Sequence, residues 1–248
     1  MRGAIVLAGS GEFTPAMRDV DAGLLATLRP RARVAIVPTA AGLEDTPPAW
    51  IEKGGEHFRE LGADPFGVPV LNAADANDAR WSDAIAEADW IYFSGGDPRH
   101  VTETLEGSRF WSAVLARNRA GAILAGSSGG AMLMGEHTFV FGGRNADGFP
   151  TDIGLRRAMG VVRDVIIAPH FDILPERLLR EWAVVIPAGQ RLLGIDEDTA
   201  LVQRDGSWDV RGKGRVVLYR APSLDQPLVV TRESNSLLKT ESLVARPL

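Results

Sequence analysis

The sequence predicts an α/β fold, a mostly parallel sheet with helices on both faces and antiparallel hairpins near the C-terminus. Three observations predict it. Short apolar runs such as Val34-Ala-Ile-Val-Pro38 and Trp90-Ile-Tyr-Phe93 show no in–out alternation, so both faces of those strands are to be buried. Segments with helical spacing separate the runs, the pattern of βαβ units. Later apolar runs are joined by Asp205-Gly206 and Gly212-Lys-Gly214, the chemistry of tight hairpin turns.

The first strand covers residues 4–8 and ends in Gly9-Ser-Gly-Glu12. Residues 15–28 carry Met17, Val20, Leu24 and Leu28 at helical spacing. Residues 34–38 form the second strand. Thr46-Pro-Pro48 caps a helix to about residue 61, with proline in the first turn, where its missing N–H costs nothing. Residues 66–71 are a third strand, weakened by Gly67 and Pro69. Residues 78–88 are helical and residues 90–93 are the fourth strand. Asp97-Pro98 caps the next helix, residues 108–118 form another, and residues 121–125 are the fifth strand. Residues 138–152, rich in Gly, Asn and Asp, read as a loop or small hairpin. Residues 161–168 are a strand leading into Pro169-His-Phe-Asp172, and residues 175–185 are a helix. Short strands follow at 192–196, 200–203, 208–211 and 215–219, with Leu228-Val-Val230 as an edge strand. No linker, repeat or low-complexity stretch interrupts the chain, so residues 1–248 are expected to form a single domain.

A chain of 248 residues suffices for one large α/β domain or two small ones. A net charge of −5 argues against a nucleic-acid or anionic-membrane partner. No apolar run approaches the roughly 20 residues of a membrane span, and residues 4–8 are too short for a signal-peptide core. A cytoplasmic location is therefore expected. With no cysteine, disulfides, thiolate metal sites and a cysteine nucleophile are excluded. Only His57, His100, His137 and His170 are available to a histidine mechanism.

The stretch Gly121-Ala-Ile-Leu-Ala-Gly-Ser-Ser-Gly-Gly-Ala131 reads as strand, sharp turn, helix start. That order, with Ser128 at the centre of Gly126-x-Ser128-x-Gly130, is the geometry of a nucleophile elbow. Glycines flank the serine because a side chain there would crowd the strand and helix. The Gly129 N–H would face a developing oxyanion. The alternative is a glycine-rich turn that binds a phosphate or nothing. His170, at a predicted strand's carboxyl end, is the best base; His137 is a weaker one. A base must be neutral to accept the serine proton, so activity should rise with pH. Gly194-Ile-Asp-Glu-Asp198 supplies three carboxylates with Glu197 central, and Asp147 and Asp152 are other acids. The acidic run reads equally as a solvated turn. In Tyr92-Phe-Ser-Gly-Gly-Asp97 two glycine N–H groups offer an anion site or half an oxyanion hole. Gly9-Ser-Gly-Glu12 lacks the P-loop lysine and the third glycine of a dinucleotide fingerprint, so it reads as a turn at the same edge. All these groups are expected at strand ends of one sheet.

Four pieces in order, Phe93-Ser-Gly-Gly-Asp97, Gly126-Ser-Ser-Gly-Gly-Ala131, Pro169-His-Phe171 and Gly194-Ile-Asp-Glu-Asp-Thr-Ala-Leu-Val202, resemble the S51 serine peptidases. That family includes aspartyl dipeptidase and cyanophycinase. The resemblance implies a class I glutamine-amidotransferase-like fold, with serine replacing the amidotransferase cysteine. It implies a Ser128–His170–Glu197 triad and oxyanion donors at Gly96 and Gly129. No cofactor is expected, and no metal, since no clustered Cys/His/carboxylate set with ligand spacing is visible in the sequence. The chain also departs from the family. The elbow is Ser128-Gly-Gly130 where Ser-Ala-Gly is usual, and Asp97-Pro98 stands where Asn or Asp precedes Gln. Leu174 and Glu176 occupy places where cyanophycinase has arginines, while Arg177 and Arg180 are displaced.

The expectation is a serine peptidase cleaving small peptides with an acidic residue at the scissile bond. Asp97 and Arg99 beside the oxyanion turn, and Arg177 after His170, are the expected substrate-binding residues; Arg144 is a further candidate cation. Arginine's planar fork suits a carboxylate, although each also reads as a solvated surface arginine. A small peptide is the expected partner, with no nucleic acid or membrane, and a homodimer remains open. Two alternatives stand: an α/β-hydrolase-type esterase using Asp147, Asp152 or Asp164 as its acid, and a non-catalytic binding member of the same fold.

Overall fold

Successive side chains of the early strands enter two different cores, which is why those strands read as unbroken apolar runs. The computed structural model describes residues 2–146, 148–220, 228–231 and 244–245. The first half runs β1 (Ile5–Ala8), α1 (Arg18–Leu25), β2 (Arg33–Val37), α2 (Pro47–Glu60), β3 (Asp64–Gly67), α3 (Ala73–Asn77) and α4 (Ala79–Ala84). It continues with β4 (Trp90–Phe93), α5 (Pro98–Leu105), α6 (Arg109–Arg119), β5 (Ile123–Ser127) and α7 (Gly129–Met132). The second half is β6 (His137–Arg144), β7 (Pro150–Arg157), β8 (Val162–Arg163), β9 (Val165–Ala168), α8 (Glu176–Val185) and β10 (Arg191–Ile195). It closes with β11 (Thr199–Arg204), β12 (Ser207–Gly212), β13 (Arg215–Arg220), β14 (Leu228–Thr231) and β15 (Val244–Ala245).

A seven-stranded sheet has the order β12-β11-β1-β5-β4-β2-β3. Its five strands from β1 to β3 are parallel; β11 and β12 add an antiparallel hairpin. A second sheet has the order β14-β13-β10-β9-β6-β7, with β10, β9 and β6 parallel and the rest antiparallel. Val6, Ala8, Tyr92 and Ala125 pack against Val20 and Leu24 of α1 and Phe58 of α2. The alternate positions Ile5, Leu7, Ile91, Phe93 and Leu124 share a core with Val101 and Phe110 of α5 and α6. That same core takes in Ile167, Leu193 and Val216 of the second sheet. The second sheet's other face buries Phe139, Ile166, Leu192 and Val217 against Leu179 and Trp182 of α8. The α/β class with C-terminal hairpins is thus as the sequence predicts, and residues 228–231 are the edge strand β14.

Several elements differ from the sequence reading, each for a physical reason. Two large sheets and a two-stranded β8–β15 pair form among the described residues where one sheet was expected, because apolar strand runs do not say which neighbour they pair with. The helix expected over 78–88 is two short helices. The Asp78 carboxylate accepts the Arg80 N–H and starts α4 afresh, and Asn72 caps α3 in the same way. Thr46 makes no side-chain cap; its hydroxyl donates to Glu44 at 2.6 Å. The third strand starts at Asp64 and stops at Gly67, before Pro69. Residues 138–152 lie largely in the long β6–β7 hairpin, because Phe139 and Phe141 pack on Trp182. Residues 161–168 split at Asp164, whose φ is 57°. The helix after the elbow is only the four residues of α7.

Candidate active site

β5 ends buried at Ser127, and the chain reverses at Ser128 with φ 49° and ψ −120°. Such a conformation costs a non-glycine residue on the order of 1–3 kcal/mol and persists only where its surroundings enforce it. Here they do. The Ser128 N–H donates to the Ala8 carbonyl at 3.1 Å. A Cβ at Gly126 would collide with the Gly130 carbonyl, and one at Gly130 would lie 2.5 Å from the Phe93 carbonyl oxygen. The flanking glycines are therefore required by backbone approach. Ser127 is fully buried, whereas Ser128 is half-buried and reaches the site.

His170 follows β9 in the left-handed region, φ 53°. Its Nε2 lies 2.9 Å from Ser128 Oγ, and its Nδ1 lies 2.7 Å from Glu197 Oε1. The histidine and glutamate side chains are 36% and 40% exposed. Glu197 follows β10, and its N–H donates to Asp172 Oδ1 at 2.8 Å. The Phe171 ring occupies the space a Cβ at Gly194 would need, seating the His170 loop directly on β10. The three carboxylates of the acidic turn part company. Asp196 is buried and accepts from the Arg215 N–H and Nε at 3.0 and 3.1 Å. Burial raises its pKa, with Arg215 partly opposing. Asp198, at φ 52°, faces Lys213 at 3.4 Å. Only Glu197 meets the imidazole.

The Gly95-Gly96 turn after β4 packs onto the elbow. A Cβ at Gly95 would stand 3.2 Å from Ser128 Cβ, and one at Gly129 would strike the Gly96 carbonyl. Gly96 has φ 139° and abuts Ala40, whose carbonyl accepts the Asp97 N–H at 2.7 Å. Among the described residues, neither the Gly96 nor the Gly129 N–H meets a protein acceptor. Gly129 and Asp97-Pro98, two of the departures noted above, thus belong to turns in mutual contact. Gly129 admits the close approach that an alanine would block.

The remaining candidates fall elsewhere. Asp97 is exposed and its Oδ1 caps α5, accepting from the Arg99 and His100 N–H at 2.7 and 3.0 Å. Arg99 is exposed on that first turn. Arg177 lies 3.9 Å from Glu181 and is 70% exposed, Arg180 pairs with Glu176, and Arg144 donates to the Gly148 carbonyl within its own hairpin. None of these hydrogen-bonds or ion-pairs with Ser128, His170 or Glu197. His57 bonds Asp21 in the core, and His100 bonds the Leu71 carbonyl. His137 bonds Gln190 and lines a cavity of about 480 Å³ with Asp164, at the opposite end of β9 from His170. Asp152 lies within β7, and Asp147 is outside the described residues. Among the described residues no group of three or more His, Cys, Asp or Glu could hold a metal ion. No helix among them is long and apolar enough to cross a membrane.

Sequence reasoning missed two carboxylates. Asp172 holds the Glu197 backbone, and Glu12 is buried behind the elbow. A charged residue closing the glycine turn after a fully apolar strand was the available signal for Glu12.

The profile of Peptidase family S51 matches residues 5–211, a stretch that includes Gly96, Ser128, Gly129, His170 and Glu197. The chain belongs to peptidase family S51. Among S51 relatives, a cyanophycinase of Nostoc sp. (strain PCC 7120) is 30% identical over 195 residues, 76% of this chain and 63% of the relative. A cyanophycinase of Geminocystis herdmanii is 27% identical over 191 residues, 75% of this chain and 69% of the relative. The match to the Nostoc protein thus spans less than two thirds of that relative's length. The crystal structure of a peptidase from an acI-B1 Actinobacterium superposes with a TM-score of 0.77 at 29% identity, covering 93% of this chain and 97% of that one. A solved protein of Listeria monocytogenes EGD-e, at 15% identity and a TM-score of 0.60, shares the fold.

Proposed function

We propose that this S51 chain is a serine peptidase that hydrolyses small peptides with a Ser128–His170–Glu197 triad. The observation that carries the reading is the unbroken hydrogen-bonded line from Ser128 Oγ through both imidazole nitrogens to Glu197. In this reading Ser128 Oγ attacks the peptide carbonyl carbon and gives its proton to His170 Nε2. The carbonyl oxygen becomes an oxyanion facing the Gly96 and Gly129 N–H groups. His170 returns the proton to the leaving amine as the C–N bond breaks. Water then repeats the sequence on the acyl-serine and frees the acid. Glu197 orients the imidazole through Nδ1–H and stabilises its charged form. No cofactor or metal enters, and the proposed setting is a single domain in the cytoplasm.

The proposed substrate is a short peptide with an acidic residue at or beside the cleaved bond. Arg99 supports this: it stands three residues beyond Gly96 and has no ion-pair partner among the described residues. A fork of guanidinium donors there would take a carboxylate in two places. Asp97 would act by capping α5 and so holding Arg99 in place. The relatives named cyanophycinase suggest an arginine-bearing polymer instead. Against it stand Leu174 and Glu176, and the commitment of Arg177 and Arg180 to pairs on α8. An esterase triad through Asp152 or Asp164 loses its support, because Glu197 already occupies His170 Nδ1. A non-catalytic binding member is favoured only by the close seating of Gly129 on Gly96.

A panel of Asp-, Glu-, Ala- and Lys-led dipeptides tests the substrate. The expected result is turnover of the acidic members with Ala- and Lys-led peptides at least about tenfold slower, a differential of about 1.4 kcal/mol. Equal rates across the panel contradict the acidic preference. No turnover of any member, with no labelling by a fluorophosphonate, selects the binding reading.

A further inference from the structure

Glu12 is buried at 5% exposure, at a place where the fold itself needs no charge. A carboxylate is rarely taken out of water unless its oxygens are satisfied. Both are satisfied here, by two separate turns. Oε1 accepts the Gly95 N–H at 2.9 Å, and Oε2 accepts the Ser127 hydroxyl at 2.7 Å. Gly95 immediately precedes Gly96. Ser127 immediately precedes Ser128 and stands two residues before Gly129. One side chain in the turn after β1 therefore bridges the β4 turn and the β5 elbow.

The bridge is tight. A Cβ at Gly95 would sit 2.9 Å from Glu12 Oε1, so only glycine admits the carboxylate there without displacement. The far side of the β4 turn is held by Ala40, through the Asp97 N–H. Its near side is held by Glu12. The elbow is fixed to β1 a second time, by the Ser128 N–H on the Ala8 carbonyl. Oxyanion donors act by being fixed before the charge develops, and a displacement of roughly half an ångström defeats them.

We propose that Glu12 is a positioning residue. Its carboxylate locks the Gly95-Gly96 turn to the Ser127–Gly129 elbow, so that the two oxyanion N–H groups face one point. The inference rests on the peptidase reading for its catalytic consequence, while the lock itself is a structural property measurable without turnover.

Three variants test it: Glu12→Ala removes the bridge, Glu12→Asp shortens it, and Glu12→Gln keeps it without charge. The Gln carbonyl can still accept from Gly95, and its amide can donate to Ser127 Oγ. Two measurements are made on the full chain: backbone amide exchange at Gly95 by NMR, with the amide chemical shifts of Gly96 and Gly129, and kcat and KM on the best peptide. In Glu12→Ala the Gly95 amide loses its acceptor and should exchange at least about tenfold faster, and the Gly96 and Gly129 signals should shift, with protection in β1, β4 and β5 unchanged. Its kcat should fall about 100-fold, comparable to loss of one oxyanion donor, with KM within about threefold. Glu12→Gln should recover to within about tenfold of the parent kcat. Unchanged exchange in Glu12→Ala overturns the proposal, as does a Glu12→Gln variant as impaired as Glu12→Ala. Should Glu12→Ala fail to fold, Glu12→Asp decides: parental kcat and exchange refute the lock, while faster exchange with reduced kcat supports it. Should the parent itself neither turn over peptide nor label with a fluorophosphonate, the peptidase reading falls. The exchange result then judges the lock alone.

Discussion

The two halves of the site are held in different ways. The Ser128 half stands at the end of the seven-stranded sheet, where backbone meets backbone. Gly126 faces the Gly130 carbonyl, Gly129 faces the Gly96 carbonyl, and Ser128 is forced to positive φ. The His170–Glu197 half stands on loops of the second sheet and is held by side chains: Phe171 over Gly194, Asp172 on the Glu197 N–H, Glu197 on His170. Backbone contacts cannot yield without moving a strand, whereas a ring or carboxylate can change rotamer. The elbow should therefore fail abruptly when altered, and the histidine side by degrees.

The largest effect expected within the softer half is on chemistry. Glu197→Gln should lower kcat about 10⁴-fold while the protein stays folded, because the imidazole loses its orienting acceptor. Asp152→Asn is the control and should change kcat by less than about twofold. Comparable losses in both variants would break the assignment of Glu197.

Next comes the direct comparison of the two packings. Gly126→Ala should cost more than about 3 kcal/mol or prevent folding, since its Cβ meets a carbonyl that belongs to the elbow. Gly194→Ala meets only the Phe171 ring and should cost about 1–3 kcal/mol. Urea midpoints with unchanged m-values measure both. Equal costs would remove the distinction between the halves.

The smallest effect concerns pH and the core behind the elbow. Burial first, then the nearby Asp21 and Glu12 charges, push the Tyr92 phenol well above its ordinary value, with the hydrogen bond between Tyr92 and Ser127 opposing. The folded state thus keeps a proton that the unfolded chain releases above pH about 10. The sign follows from linkage: the contribution is whole below that value and is lost as pH rises beyond it. Tyr92→Phe should cost about 1 kcal/mol at neutral pH through the lost hydrogen bond. That deficit should shrink above pH about 10, because the variant has no phenol to ionise. A deficit independent of pH would show that Tyr92 ionises as readily folded as unfolded.

The elbow was legible in the sequence because close backbone approach leaves glycine as the only residue that fits, and glycine can be read from a string. The strand ends were legible for a similar reason, since buried parallel strands stand out as apolar runs. The carboxylate that meets His170 was only half legible. Spacing left Asp196, Glu197 and Asp198 open, and the choice is made by Arg215 drawing Asp196 inward and Lys213 facing Asp198. The second sheet escaped notice because strand pairing is a long-range property that a run of valines does not encode. Glu12 escaped for the same reason, with partners 83 and 115 residues away along the chain. The arginines remain the weakest link, since an exposed arginine looks alike in sequence whether it binds substrate or water.

The central claim is that Ser128, and no other serine, is the activated nucleophile. The most direct measurement is peptide mapping by mass spectrometry after treatment with a fluorophosphonate, on the parent chain and on Ser128→Ala. One adduct on Ser128 in the parent, lost with all hydrolysis in a Ser128→Ala variant of unchanged thermal stability, is the predicted result. An adduct on Ser127, or labelling that survives in Ser128→Ala, would contradict the account.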